Sequence, residues 1–165
     1  MKTWLSTILF LWVVSISFSQ NKIDKTLKKL NKESVEYIHV DALKSDTNPI
    51  LLDAREKAEF DVSHLKNAIW VGYDTFQLDS VVQKLQNKNS EIIVYCSIGV
   101  RSENIGEKLE KAGYTNVKNL YGGIFEWKNE GNPVYDPSGN ETEQVHAFNK
   151  HWGKLLTSGE KVYDK

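Results

Sequence analysis

Ile92-Ile93-Val94-Tyr95-Cys96-Ser97-Ile98-Gly99-Val100-Arg101-Ser102 decides how this chain folds. A short β-branched and aromatic run reads as a buried strand, and Ser, Gly and Arg then suit a tight loop. A helical pattern follows at once, with Ile105, Leu109 and Ala112 on one face and Gly113 at the C-terminal cap. Strand, tight turn and helix N-terminus together aim backbone N–H groups at one point, which makes an anion site. The chain's only cysteine stands in that turn. A lone cysteine ordinarily reads as a small buried hydrophobe, but Cys96 comes after the apolar run and is followed by loop residues. With Arg101 beside it, the thiol pKa falls and the thiolate is favoured, so the stretch predicts a cysteine nucleophile acting on an anion.

Working outward, other strands and helices alternate around this one. Val35 to Val40, Pro49 to Asp53, Ala68 to Val71 and Asn116 to Leu120 read as strands. Glu56 to Phe60, Leu78 to Leu85 and Ile124 to Asn129 read as helices, the second from Leu78, Val81, Val82 and Leu85 at i, i+3, i+4 and i+7. The pattern predicts an α/β fold with a small, mostly parallel sheet and helices on both faces. Ligands of such sheets bind beyond the carboxyl ends of strands, where Cys96 falls.

The N-terminus reads as a secretory signal over residues 1–19. Lys2 is the charged start, Trp4 to Val14 the apolar stretch, and Ser17-Phe18-Ser19 a small-x-small cleavage site before Gln20. The apolar stretch is short against the roughly 20 residues of a membrane span. The expectation is export to the periplasm, with the membrane touched only if the segment stays uncleaved. Without residues 1–19 the chain has 146 residues, with 20 basic and 22 acidic side chains. This charge balance gives no reason to expect nucleic acid as a partner. One cysteine allows no internal disulfide, and in an exported chain it reads as a reactive thiol.

Residues 20–33 form a lysine-rich lead-in, with Ile23, Leu27 and Leu30 spaced for a weak amphipathic helix, expected as a solvated helix or tether. Residues 34–135 form the domain. In residues 136–165, a C-terminal extension, Phe148 and Trp152 make an i, i+4 pair that a helix would put on one face. That segment is expected to pack across the domain, with cover over the site or a partner surface as alternatives. His146 and His151 are five apart, which is not the i, i+4 spacing of two ligands on one helix, so no metal site or other cofactor is predicted.

Several motifs in order resemble the single-domain rhodaneses, a sulfurtransferase family. They are Leu52-Asp53-Ala54-Arg55-Glu56 with Glu59-Phe60, then His64-Leu65 with Ala68-Ile69, then Cys96 to Ser102, then Gly122-Gly123 with Trp127. Ser63 and Asn67 stand where the family usually has glycines. The resemblance implies a persulfide on Cys96, loaded from thiosulfate or a similar small anionic donor and passed to a thiol acceptor, a reductant protein or cyanide. It implies donor binding by Ser97, Ile98, Gly99, Val100 and Arg101, with Asp53, Arg55 and Ser102 supporting the loop by hydrogen bonds. Arg101 has a competing role, a salt bridge that pins the loop. Related phosphatases use a loop one residue longer; here four residues, Ser97 to Val100, separate Cys96 from Arg101. Phosphatase activity is therefore the minor alternative, and a non-catalytic sulfur-carrier or partner-binding module the main one. His64 reads as a hydrogen-bonded structural residue, and Trp70, Trp127 and Trp152 as packing.

Overall fold

The computed structural model describes residues 22–45 and 48–164. The signal-like segment therefore lies outside the described residues. Five strands form one parallel sheet: β1 (Glu36–Ile38), β2 (Ile50–Asp53), β3 (Ile69–Trp70), β4 (Ile92–Tyr95) and β5 (Val117–Leu120), in the order β1-β5-β4-β2-β3. The apolar run quoted above is the middle strand, hydrogen-bonded on both edges, and all four of its side chains are buried. Each such burial stabilises by about 1.5–3 kcal/mol.

Because strand side chains alternate, β4 serves two cores. Ile93 and Tyr95 face one layer with Leu120, Ile124 and Phe125, while Ile92 and Val94 face the other with Leu52, Ile105 and Leu109. The first layer is covered by α1 (residues 22–30), α2 (Val40–Ser45) and α6 (Gly123–Asn129). The second is covered by α4 (Leu78–Lys84) and α5 (Val100–Lys111), and α3 (Lys57–Val62) follows β2. The α/β architecture with helices on both faces is as the sequence predicts. The sheet is wholly parallel.

Three elements differ from the sequence reading. Val40 ends no strand; it starts α2, whose Val40 and Leu43 are the buried i, i+3 pair. The lysine-rich lead-in is not a solvated tether. Ile23 and Leu27 of α1 are fully buried, Asn31 Nδ2 donates to the Gly99 carbonyl at 2.9 Å, and the Lys32 and Ser34 amides donate to the Glu103 carboxylate. Two apolar residues one turn apart suffice because they meet a core already lined by Leu120 and Ile124.

The third is the C-terminal extension, which is not helical around Phe148. It forms a hairpin of β6 (Val134–Tyr135) with β7 (Glu141–Thr142), then β8 (Gln144–His146) parallel to β9 (Glu160–Val162), with a 3₁₀ turn at Trp152–Lys154 between them. Val145 and Ala147 alternate into the core, a strand period that overrides the i, i+4 spacing of the aromatics. Ser63, at a position where glycine is usual, is buried and extended, and its hydroxyl donates to the Gln144 carbonyl at 2.5 Å. That bond fastens the extension to the domain. Asn67 takes a left-handed conformation at φ 60°, which asparagine tolerates.

The N-terminus of α6 holds the cysteine loop in place. The Ile124 and Phe125 amides donate to the Cys96 and Ser97 carbonyls at 3.0 and 3.1 Å. A Cβ on Gly123 would stand 2.3 Å from the Cys96 carbonyl oxygen, and the residue is left-handed at φ 56°. We predict that Gly123→Ala pushes α6 off the loop, lowering the thermal midpoint and the rate of Cys96 alkylation in parallel. Glycine is needed because the backbones touch. An alanine variant with unchanged midpoint and reactivity would contradict this packing.

Candidate active site

Cys96 follows the last residue of β4, and α5 begins four residues later at Val100, so the loop closes within one turn. Gly99 turns it at φ 104°, and its amide donates to Cys96 Sγ at 3.1 Å. The Ser102 hydroxyl lies 3.5 Å from the same sulfur and donates to Asn119 Oδ1 at 2.7 Å. Asn119 in turn donates to the Gly99 carbonyl at 2.8 Å, so strand, turn and helix are cross-tied around the thiol.

Cys96 is buried, at 1% exposure. Burial alone pushes its pKa up, but the Arg101 charge, Ser102 and the Gly99 amide together hold it below the ordinary thiol value. The electropositive setting, with Arg101 nearby and a cleft above the sulfur, is the kind that favours a thiolate.

Arg101 does not project freely into solvent. Nη1 meets Glu59 Oε2 at 2.6 Å, Nη2 meets Glu59 Oε1 at 2.8 Å, and Nη2 also reaches the Ser97 hydroxyl at 2.9 Å. The Ser97 hydroxyl donates to Glu59 Oε1, and the Glu56 amide to Glu59 Oε2. Burial opposes the charge of Glu59, yet the Arg101 hydrogen bonds and charge keep its pKa below the usual carboxylate value. The sequence-expected salt bridge of Arg101 is therefore built, and its partner is Glu59. Sequence reading quoted Glu59 only as part of a motif. Its separation from the loop in sequence hid its role, although its place three residues after Glu56 is a helix-start signal.

Asp53 and Arg55 form a fully buried pair at 2.6 Å, and Arg55 also donates to the Ser63 carbonyl at 2.6 Å. They make no hydrogen bond to residues 96–101, so the direct bracing expected of them falls instead to Glu59. Their own contact with the site is through Tyr95, whose ring centroid lies 5.7 Å from the Arg55 guanidinium carbon. Burial and the Asp53 charge raise the Tyr95 pKa, so its hydroxyl stays protonated. It accepts the Leu65 amide at 3.1 Å. His64 stacks on Phe60 at 4.1 Å and is held in a backbone bridge to Tyr135, a structural placement.

Over the thiol lies a cleft of about 150 Å³ lined by Leu30, Cys96, Ser97, Ile98, Val100, Arg101, Phe148 and Trp152. Phe148 sits with its ring centroid 5.1 Å from the Arg101 guanidinium carbon. Its φ of 62° is unusual for a bulky residue, and its amide donates to His146 Nδ1 at 3.2 Å. Trp152, read from the sequence as packing, is thus part of the cleft, and the extension covers the site without being a helix. A separate cavity of about 270 Å³ between β2, β3 and α4 is lined by Thr75, Ser80 and Lys84 among apolar residues, away from the cysteine loop. Among the described residues no group of three or more His, Cys, Asp or Glu could hold a metal ion.

The family model of the rhodanese-like domain matches residues 38–130, the stretch that carries β2 to β5, α3 and the cysteine loop. The chain belongs to the rhodanese-like family. Its sequence is 32% identical over 109 residues to a tRNA uridine(34) hydroxylase of Enterobacter sp. (strain 638), covering 62% of this chain and 31% of that protein. With the protein of that name from Sodalis glossinidius it shares 37% over 125 residues, 72% of this chain and 34% of that one. The chain thus spans about a third of the length of these curated relatives. Among solved structures, a rhodanese-like domain from Anabaena sp. overlays with a TM-score of 0.55 at 23% identity, covering 61% of this chain and 78% of that one. A thiosulfate sulfurtransferase from Pseudomonas aeruginosa gives 0.57 at 19%, covering 84% and 26%. At these identities the overlays show the shared fold. The family region stops short of α1 and of the extension that carries Phe148 and Trp152.

The geometry separates the charge of Arg101 from its clamp. Alkylation of Cys96 should rise with pH through a midpoint below that of a free thiol, because only the thiolate reacts. Arg101→Gln removes the charge that helps hold the thiol pKa down and should raise that midpoint. It also leaves Glu59 buried without its partner, at a cost on the order of 3 kcal/mol. Arg101→Lys keeps the charge but not the fork, so the midpoint should stay low while thermal stability falls. Equal midpoints in wild type and Arg101→Gln would show that the arginine does not set the thiol's charge.

Proposed function

We propose that this protein is a sulfurtransferase that carries sulfur as a persulfide on Cys96. The supporting observation is the thiol itself: an Sγ accepting the Gly99 amide, with its pKa lowered by Arg101 and Ser102, at the floor of a small cleft. The thiolate attacks the outer sulfur of thiosulfate, a new S–S bond forms, and the donor's S–S bond breaks with its electron pair leaving on sulfite. Donors fixed by the fold stabilise the charge on the sulfur without reorganising, as in oxyanion sites. A thiol or cyanide then removes the outer sulfur and returns Cys96 to the thiolate, giving two half-reactions.

A non-catalytic carrier of the same persulfide is the runner-up. A tRNA-directed reading draws on the names of the hydroxylases, which match this chain over about a third of their length. The whole-chain net charge of −1 gives that reading no electrostatic support. We further propose that the chain is exported, on the strength of its charged, apolar and small-residue N-terminal pattern.

Initial rates with thiosulfate and cyanide should give parallel double-reciprocal lines and vanish in Cys96→Ser, while aryl phosphate hydrolysis stays at background. Turnover in Cys96→Ser, or Cys96-dependent phosphatase activity faster than sulfur transfer, would overturn the assignment. A persulfide that forms but never passes to any acceptor would favour the carrier. Protein recovered from the cell envelope should begin near Gln20; intact residues 1–19 on protein found only in the cytoplasm would refute export.

A further inference from the structure

The loop's own cation is occupied. Both Nη groups of Arg101 are committed to Glu59 and Ser97, and Phe148 lies against its guanidinium. The remaining lining of the cleft, Leu30, Ile98, Val100, Phe148 and Trp152, is mostly apolar. Leu30 and Trp152 also line a neighbouring hollow of about 320 Å³, walled otherwise by Lys25, Thr26, Lys29 and His151. Lys25 and Lys29 are one turn apart on α1, opposite the buried Ile23 and Leu27, and neither has a salt bridge among the described residues. Both walls of the hollow come from segments outside residues 38–130, so it belongs to this chain rather than to the shared domain.

We propose that this hollow is a second subsite, which takes the carboxylate end of an organic thiol that accepts sulfur from Cys96. The thiol's carbon chain crosses the apolar cleft while Lys25 and Lys29 hold its far end. The inference rests on the persulfide reading above. The acceptor thiolate attacks the outer sulfur of the Cys96 persulfide, and the persulfide S–S bond breaks with its electron pair returning to Sγ. The acceptor leaves as a persulfide, its thiol proton passes to solvent, and no outside oxidant or reductant is consumed. Two exposed cations at contact distance give a preference of about five- to tenfold for a carboxylate over a neutral end.

The test uses full-chain protein loaded with thiosulfate and two acceptors of equal length, mercaptohexanoate and mercaptohexanol. Wild type should favour the carboxylate in kcat/KM, and added salt should shrink the preference. The double variant Lys25→Glu, Lys29→Glu should abolish or invert it, with the neutral thiol as the internal control for folding and loading. Equal use of the two acceptors by wild type, or a preference that survives in the double variant, would overturn the subsite while leaving the persulfide reading intact. If intact mass shows that thiosulfate adds no sulfur to Cys96, both fail.

Discussion

The site depends on one carboxylate. Glu59 stands in the short helix after β2, and its two oxygens accept the Glu56 amide, the Ser97 hydroxyl and both Nη groups of Arg101. A charge this deeply buried is costly unless it is paired and hydrogen-bonded. Here each oxygen has at least two donors, and the anion becomes a fixed point to which the loop is tied. The arginine, only partly exposed, is then held where its charge lowers the Cys96 pKa. The same clamp leaves the arginine no free fork for a substrate. Lys25 and Lys29 of α1 line the neighbouring hollow.

A second buried pair, Asp53 and Arg55, works one layer further down. Burial opposes the charge of Arg55, and Asp53 more than restores it. The pair holds the end of β2 to the Ser63 carbonyl, and Ser63 holds the C-terminal extension through Gln144. The extension in turn places Phe148 and Trp152 above the thiol. Sheet end, helix end, extension and cleft therefore form one connected set of contacts. Glu126, on α6, is in tension with this order. Burial, aided by the nearby Glu130 charge, raises its pKa to about 7. Its proton is thus held more tightly folded than unfolded, and the stability this contributes is lost as pH rises from the ordinary carboxylate range through about 7.

The sheet and its central loop were legible because their signals are local. The β-branched run before Cys96, the helix period after it and the glycines at 99, 113 and 123 each declare a conformation within a few residues. Glu59, the docking of α1 and the role of Phe148 were not legible. Glu59 meets Arg101 across 42 positions in the chain, and no local pattern marks such a pairing. Only Ile23 and Leu27 bury α1 among its lysines, a pattern shared with a solvated helix. Phe148 was read by helical spacing, yet its left-handed backbone turns the chain out of β8 and brings it over the guanidinium from a non-helical segment.

The central claim is that this clamped, low-pKa thiolate is the atom that carries sulfur. Intact-mass measurement of the full chain after incubation with thiosulfate, followed by peptide mapping, tests it most directly. The account predicts the mass of one added sulfur atom, located on Cys96, absent in Cys96→Ser and removed by a thiol. An unmodified Cys96 in protein whose thiol still alkylates at low pH would contradict it, because the activated nucleophile would then be present without the chemistry assigned to it.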